Sequence, residues 1–505
     1  MLSVFDEGPP APCPAPFNMA AYVLSAAERV PNKDALLILG ETGVERWQYH
    51  ALERAVRGTA TGLLGLGLVP GDRVLMRLGN TVDFPLAYLG ALAAGLVPVP
   101  TSAALTRPET AQIIADIQPK AVLQDPDVAC ADHARKIDLQ RLRGFRDLPP
   151  APYDMGDPNR LGYVIYTSGT SGMPRAVAHA HRAIWARRMM FDGWYGLTAE
   201  DRVLHAGAFN WTYTLGTGLM DPWTVGATAL IPAPGTAASA LPGLLADHEV
   251  TIFAAAPGVY RQMLKSGDAM RCPALRHGLS AGEKLATRVA ESWRAASGTE
   301  VFEAYGMSEC STFISGAPDS PAAAGALGQP QPGRCVALLG PDGPVPVGEE
   351  GTIAVHRDDP GLMLGYLGAE AETAARLQED WFLTGDQAVM SQDGQITYLG
   401  RNDDMMNAGG YRVSPIEVET ALATLPGITG VAVTDVEVKA DARVIAAFYT
   451  APAALDETTF ETYVKATLAR YKQPRLFIHV PELPIGANGK ILRRALRAGF
   501  EARND

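Results

Sequence analysis

The stretch Tyr166-Thr167-Ser168-Gly169-Thr170-Ser171-Gly172-Met173-Pro174-Arg175 decides how this chain is read. A short apolar strand, Tyr163 to Tyr166, runs into a loop of hydroxyls and glycines that ends on a cation. Glycine permits close approach and positive φ, and a concave run of backbone amides favours a bound anion. The hydroxyls of Thr167, Ser168, Thr170 and Ser171 can turn toward the same polyanion. The loop is not a Walker A motif, because Gly169 and Gly172 are three apart and no Gly-Lys-Ser/Thr follows. Alone, such a loop is more often a plain surface turn. Its weight comes from the segments downstream.

Those segments are Tyr305-Gly306-Met307-Ser308-Glu309, Thr384-Gly385-Asp386, Gly400-Arg401-Asn402-Asp403-Asp404, Gly409-Gly410-Tyr411-Arg412-Val413-Ser414-Pro415 and Asn488-Gly489-Lys490. Taken in order with the first loop, they resemble the adenylate-forming superfamily of acyl-CoA synthetases, non-ribosomal peptide adenylation domains and luciferases. The resemblance runs from about Phe17 to Arg497. Each motif alone is weak, and the specificity lies in their order and spacing.

Composition fits that breadth. A chain of 505 residues exceeds a single core, and 47% hydrophobic with 19% charged residues is ordinary for a globular protein. A net charge of −12 argues against non-specific binding to nucleic acid or an anionic membrane. Five scattered cysteines without a CxxC favour reduced thiols in a cytoplasmic protein. Met1 to Pro16 carries acids and prolines and does not read as a signal peptide. The most apolar run, Phe84 to Pro100, is short and holds three prolines, so it predicts a buried helix and strand.

Periodicity predicts helices over Phe17–Pro31, Ala51–Leu66, Val82–Gly95, Arg107–Ile117 and Leu285–Ser297, and strands over Asp72–Leu78, Lys120–Gln124 and Thr251–Ala255. This alternation predicts an α/β fold: a large N-terminal domain, residues 1–400, of layered, mostly parallel sheets. Gly- and Pro-rich short strands between 325 and 400 suggest a β-rich subdomain. A small mobile α+β domain, residues 401–505, follows. There Ser414-Pro415-Ile416-Glu417 opens a helix with a capping box, Val431–Val438 and Arg443–Thr450 make a hairpin, and Phe460, Val464 and Leu468 give one helix an apolar face.

The resemblance implies a role for each matching residue. Thr167, Ser168, Gly169, Thr170, Ser171, Gly172 and Arg175 would hold the β- and γ-phosphates of ATP. Arg175 departs from the usual lysine, but a guanidinium keeps its charge and can grip phosphate bidentately. Ser308 would contact the α-phosphate and Glu309 would bind Mg²⁺; outside the family pattern Glu309 reads as a helix-start acid. Glu303, Ala304, Tyr305, Gly282 and Glu283 would border adenine, with Tyr305 as the stacking face. Asp386 would accept from the ribose hydroxyls with Arg401 beside it, although a lone Asp in a turn is usually a backbone cap. Asp403 matches a hinge position; its bland alternative is a carboxylate paired with Arg401. Lys490 would be the catalytic cation, reaching carboxylate and α-phosphate, although in isolation it is an ordinary solvated lysine. Gly409 and Gly410 match the turn lining the tunnel for coenzyme A. Trp211, Tyr213, Ala256 and Ala281 would wall the acid pocket. Trp211 stands where many relatives have a gating histidine, and a tryptophan there is as readily core. His179 and His181, two apart on a strand, read as structural.

The expected activity is that of an ATP-dependent carboxylic acid:CoA ligase, with Mg²⁺, acting on an aromatic or short-to-medium-chain acid. Loading of a separate carrier protein and a silent nucleotide-binding homologue are the alternatives, and luciferase-like oxidation is more remote. Expected partners are the acid, ATP and CoA, with a homodimer admitted and no nucleic acid or membrane.

Overall fold

Short runs of Val, Ile, Leu and Ala, buried on both faces, become central strands of a nine-stranded sheet. Its order is Gln329–Pro330, Ser311–Ser315, Glu300–Met307, His277–Ala281, Ile252–Ala255, Arg202–His205, Thr228–Pro232, Asp34–Gly40 and Gly43–Gln48. The strands from Glu300–Met307 through Asp34–Gly40 run parallel, with antiparallel strands at both edges. A four-stranded parallel sheet is built from Val97–Pro100, Arg73–Arg77, Ala121–Gln124 and Lys136–Asp138. The computed structural model describes residues 1–40, 43–167, 175–267, 269–402, 404–408, 411–439, 442–468, 470–486 and 491–502.

The helices follow the expected apolar faces. Tyr49–Gly65, Asp83–Ala93, Arg107–Ile117 and Thr287–Ser297 lie within two residues of their predicted bounds. Every residue of Asp83–Ala93 is buried, as befits a helix apolar all round. Among the described residues, no helix is long and apolar enough to cross a membrane. One expectation is corrected. The helix predicted over Phe17–Pro31 is two short ones, Met19–Val23 and Ala26–Arg29, divided by a turn at Leu24 and Ser25. Both pieces bury apolar residues, so periodicity carries no mark of the break.

The chain forms two compact units, each discontinuous in sequence. The larger comprises Phe5–Cys335 and Val355–Phe382; the smaller comprises Met1–Val4, Val336–Ala354 and Leu383–Asp505. In the smaller unit Ile396–Arg401 pairs antiparallel with Trp381–Met390. Ser414 caps the helix Pro415–Leu422, its hydroxyl accepting from the Glu417 amide at 3.3 Å. Gly430–Lys439 and Ala442–Thr450 form the predicted hairpin, and Leu476–His479 joins it in parallel. The helix Glu457–Thr467 buries Phe460 and Val464 against Val418, Leu422 and Ile445.

Candidate active site

In the larger unit two hairpins supply the charged part of the site. Leu161–Thr167 and Arg175–Ala180 pair antiparallel with Thr167 opposite Arg175, so the polar loop springs from adjacent strand ends. Ser168, Gly169, Thr170, Ser171 and Gly172 lie outside the described residues. The second hairpin joins Glu300–Met307 to Ser311–Ser315, with a register shift between Tyr305 and Gly306. Gly306 is required by that approach: a Cβ there would lie 2.1 Å from the Ser311 carbonyl oxygen and 2.4 Å from the Thr312 Cα. Ser308 and Glu309 sit in the connecting turn, closed by the Cys310 amide donating to the Met307 carbonyl at 3.2 Å. Glu309 is therefore a hairpin-turn acid and does not start a helix.

The two hairpins are tied together. His179 Nε2 donates to the Ser308 carbonyl at 2.7 Å, and burial pushes its imidazole down to about 4, so the ring is neutral near pH 7. His181 Nδ1 accepts from the Met19 amide at 3.1 Å. Both are buried and structural, as expected. Glu309 is held twice, its carbonyl accepting from the Met363 amide at 2.7 Å and its Oε1 from the Tyr366 hydroxyl at 2.7 Å. The Arg175 guanidinium lies 5.1 Å from the centroid of the same Tyr366 ring, and its Nε forms a 2.8 Å ion pair with Glu372. Thr167, Arg175, Ser308 and Glu309 are thus gathered by one network. Sequence reasoning missed Tyr366 and Glu372; Gly365-Tyr366-Leu367 carries no charge or turn signature to mark it.

The second part lies at the carboxyl ends of parallel strands, where open α/β sheets receive ligands. Ala281 is in register with Ala304, and Ser280 with Glu303, on adjacent strands. Gly282 follows with φ +97, and a Cβ there would meet nothing within 4 Å. Ala256 leaves the neighbouring strand Ile252–Ala255 at the same edge. The Tyr305 ring meets Phe313 edge-on at 5.4 Å. Glu283 faces Arg261 at 3.7 Å. Glu303 accepts from the Leu285 amide at 3.1 Å, and burial pushes its carboxyl up to about 7.

Among the expected acid-pocket residues, Tyr213 is anchored in packing. Its ring stacks with Trp194 at 5.8 Å and meets His205 at 4.4 Å, while its hydroxyl donates to the Leu279 carbonyl at 3.0 Å. Trp211 is half-buried and precedes the helix Thr212–Leu215. A small pocket, partly open to solvent, reaches Ser308 and is lined by Tyr88, Tyr163, His179, Thr212, Leu215 and others. Trp211, Tyr213, Ala256 and Ala281 do not line it. Tyr88, at the centre of a buried helix, gives no sequence signal beyond core.

In the smaller unit Asp386 and Arg401 are direct partners across two strands, with Nη1 3.9 Å from Oδ1. The Asp386 carboxylate also accepts from the Tyr398 hydroxyl at 3.3 Å, and its amide donates to Thr384 Oγ1 at 3.1 Å. Asp386 thus lies in a strand and not in a turn. Asp403, Gly409, Gly410 and Lys490 lie outside the described residues.

Motif residues gathered at two hairpins and at the ends of such a sheet point to an adenylate-forming enzyme. The AMP-binding enzyme family model matches residues 24–367, and the AMP-binding enzyme C-terminal domain matches 417–490. The mitochondrial acyl-coenzyme A synthetase ACSM5 of Mus musculus is 30% identical over 96% of this chain and 91% of its own length. An acyl-CoA ligase of Bacillus subtilis, itself uncharacterized, is 28% identical over 92% of this chain and 93% of its own. A solved benzoate CoA ligase from Burkholderia xenovorans superposes with TM-score 0.84 at 29% identity, covering 95% of this chain and all of that one. An anthranilate CoA ligase holding anthranoyl-AMP superposes with TM-score 0.88 at 25% identity over 97% and 98% of the two chains. The chain belongs to the AMP-binding enzyme family, in its acyl- and aryl-CoA ligase branch of AMP-forming acid–thiol ligases.

Proposed function

We propose that this chain joins an aromatic or short-to-medium-chain carboxylic acid to coenzyme A at the expense of ATP. The observation that carries the reading is the convergence of Thr167, Arg175, Ser308 and Glu309 in one network. The small residues at the strand ends, Ala281, Gly282 and Ala304, support it. Relatives named as acyl-CoA synthetases support an acyl acid in general, and benzoate and anthranilate ligases of the same fold support an aromatic one.

In the first step a carboxylate oxygen attacks the α-phosphorus, the α–β bridging bond breaks, and pyrophosphate leaves. In the second the CoA sulfur attacks the acyl carbon, AMP leaves, and the thiol proton passes to solvent. Position and electrostatics supply most of such catalysis. Residues 167–172 and Arg175 bind the β- and γ-phosphates, Ser308 binds the α-phosphate, and Glu303, Ala304, Tyr305, Gly282 and Glu283 border adenine. Asp386 and Arg401 bind the ribose. Lys490, carried by residues 401–505 about a hinge at Asp403, neutralises the crowded oxygens, and Gly409 and Gly410 line the path of the thiol. Trp211, Tyr213, Ala256 and Ala281 face the acid.

Among the described residues, no group of three or more His, Cys, Asp and Glu could hold a metal ion. Glu309 fits Mg²⁺ only as a single protein oxyanion alongside phosphate oxygens and water, the usual arrangement for this hard cation. When bound, Mg²⁺ would neutralise triphosphate charge. Five free cysteines suit a reducing compartment such as the cytoplasm.

The test is pyrophosphate release with ATP, Mg²⁺ and CoA across aromatic, short, medium and long acids, with acyl-CoA measured as product. Lys490→Ala should suppress acid-dependent pyrophosphate exchange by on the order of 10²–10³. Exchange undiminished in that variant, or no acid giving acyl-CoA, would refute the assignment.

A further inference from the structure

Tyr366 touches both charges of the network. Its hydroxyl donates to Glu309 Oε1 at 2.7 Å, and its ring supports the Arg175 guanidinium at 5.1 Å. At 3% exposure, with its amide donating to Thr373 Oγ1 at 2.9 Å and its backbone in register with Val177, the ring has a fixed station. Glu372, on the short helix Glu370–Ala374, meets Arg175 Nε at 2.8 Å, and its side chain is 50% exposed. A planar, delocalised cation can stack on a ring face while one edge engages a carboxylate; a lysine ammonium has no such face. The arginine in place of the usual lysine therefore has structural partners suited to it.

We infer that Tyr366 is a positioning residue that orients Glu309 and Arg175 together, and that Glu372 is the resting counter-ion of Arg175, competing with the triphosphate. The inference rests on the proposed function, in which Arg175 and Glu309 face ATP. With the hydroxyl gone, Glu309 keeps its charge but loses the donor that fixes its carboxylate. With the Glu372 charge gone, Arg175 keeps its ring support and loses the carboxylate that its Nε meets at 2.8 Å.

The experiment compares Tyr366→Phe, Glu372→Gln and Glu309→Gln with the unmodified protein. Calorimetry reads ATP binding with and without Mg²⁺, and acid-dependent pyrophosphate exchange is followed as a function of Mg²⁺. Tyr366→Phe keeps the ring, so its melting temperature and acid KM should hold. Its kcat should fall about tenfold, the order expected for a lost hydrogen bond to a charged group, and half-saturation should move to higher Mg²⁺. Glu372→Gln should bind ATP several-fold more tightly. A Tyr366→Phe variant with unchanged rate and Mg²⁺ dependence, while Glu309→Gln abolishes exchange, overturns the inference alone. Full exchange in Glu309→Gln brings down the functional reading with it.

Discussion

Arg187→Met tests the buried polar centre beneath the motif hairpin. Arg187 Nε lies 2.8 Å and Nη2 2.6 Å from the two oxygens of Asp221. Nη2 also donates to Tyr195 and Thr217, and Nη1 to Ser311, the first residue of Ser311–Ser315. Asp221 is fully buried and Arg187 is 6% exposed. The Asp221 charge beside it more than offsets burial, so the Arg187 guanidinium is held above its ordinary range. Methionine keeps much of the volume but leaves Asp221 without its cation, which should cost about 3–5 kcal/mol. The double variant Arg187→Met/Asp221→Leu removes both charges and should recover about 2–3 kcal/mol of that loss. A chain of two compact units need not unfold in one step, so the readout is amide exchange over residues 183–195 and 212–225. A loss below about 1 kcal/mol in the single variant, or a double variant costing the sum of the singles, would refute the reasoning.

Glu303 gives a pH signature. Its carboxyl rises from 4.5 to about 7 in the folded state, so the native protein binds more protons between those values and stability falls as pH rises through that window. The rise corresponds to about 3 kcal/mol at pH 8; Glu303→Gln should recover part of it at pH 8 and none at pH 5, read as melting temperature against pH. Gly306→Ala forces a Cβ to within 2.1 Å of the Ser311 carbonyl. It should displace Ser308 and Glu309 and depress pyrophosphate exchange far more than it alters the circular dichroism of the folded chain. Trp211→Ala should broaden the range of acids accepted without changing the KM for ATP, as measured across the acid panel.

Most of the scaffold could be read from the chain because its signals are local. Tyr49–Gly65, Asp83–Ala93 and Arg107–Ile117 follow from apolar spacing, and the hairpin Gly430–Lys439/Ala442–Thr450 from alternation. Two things could not be read. Strand order, which sets Ala281 beside Ala304, is a long-range fact, and so is the grouping of Val336–Ala354 with the C-terminal residues. The motifs announce Arg175 and Glu309, whereas the side chain between them, Tyr366, arrives from a strand of two residues, Gly365–Tyr366. Tyr88 illustrates the same limit, since a cavity-lining tyrosine in a wholly apolar helix looks like any other core residue.

The imidazole that braces Ser308 has three counterparts elsewhere in the larger unit. Burial pushes His179 and His277 down to about 4, and His181 and His205 to about 3. Each stays uncharged when folded and accepts a proton near 6.5 once unfolded, so stability is lost as pH falls from about 6.5 toward those depressed values. Acidification would therefore drain the fold's reserve while these rings are still neutral and His179 still bridges the two hairpins.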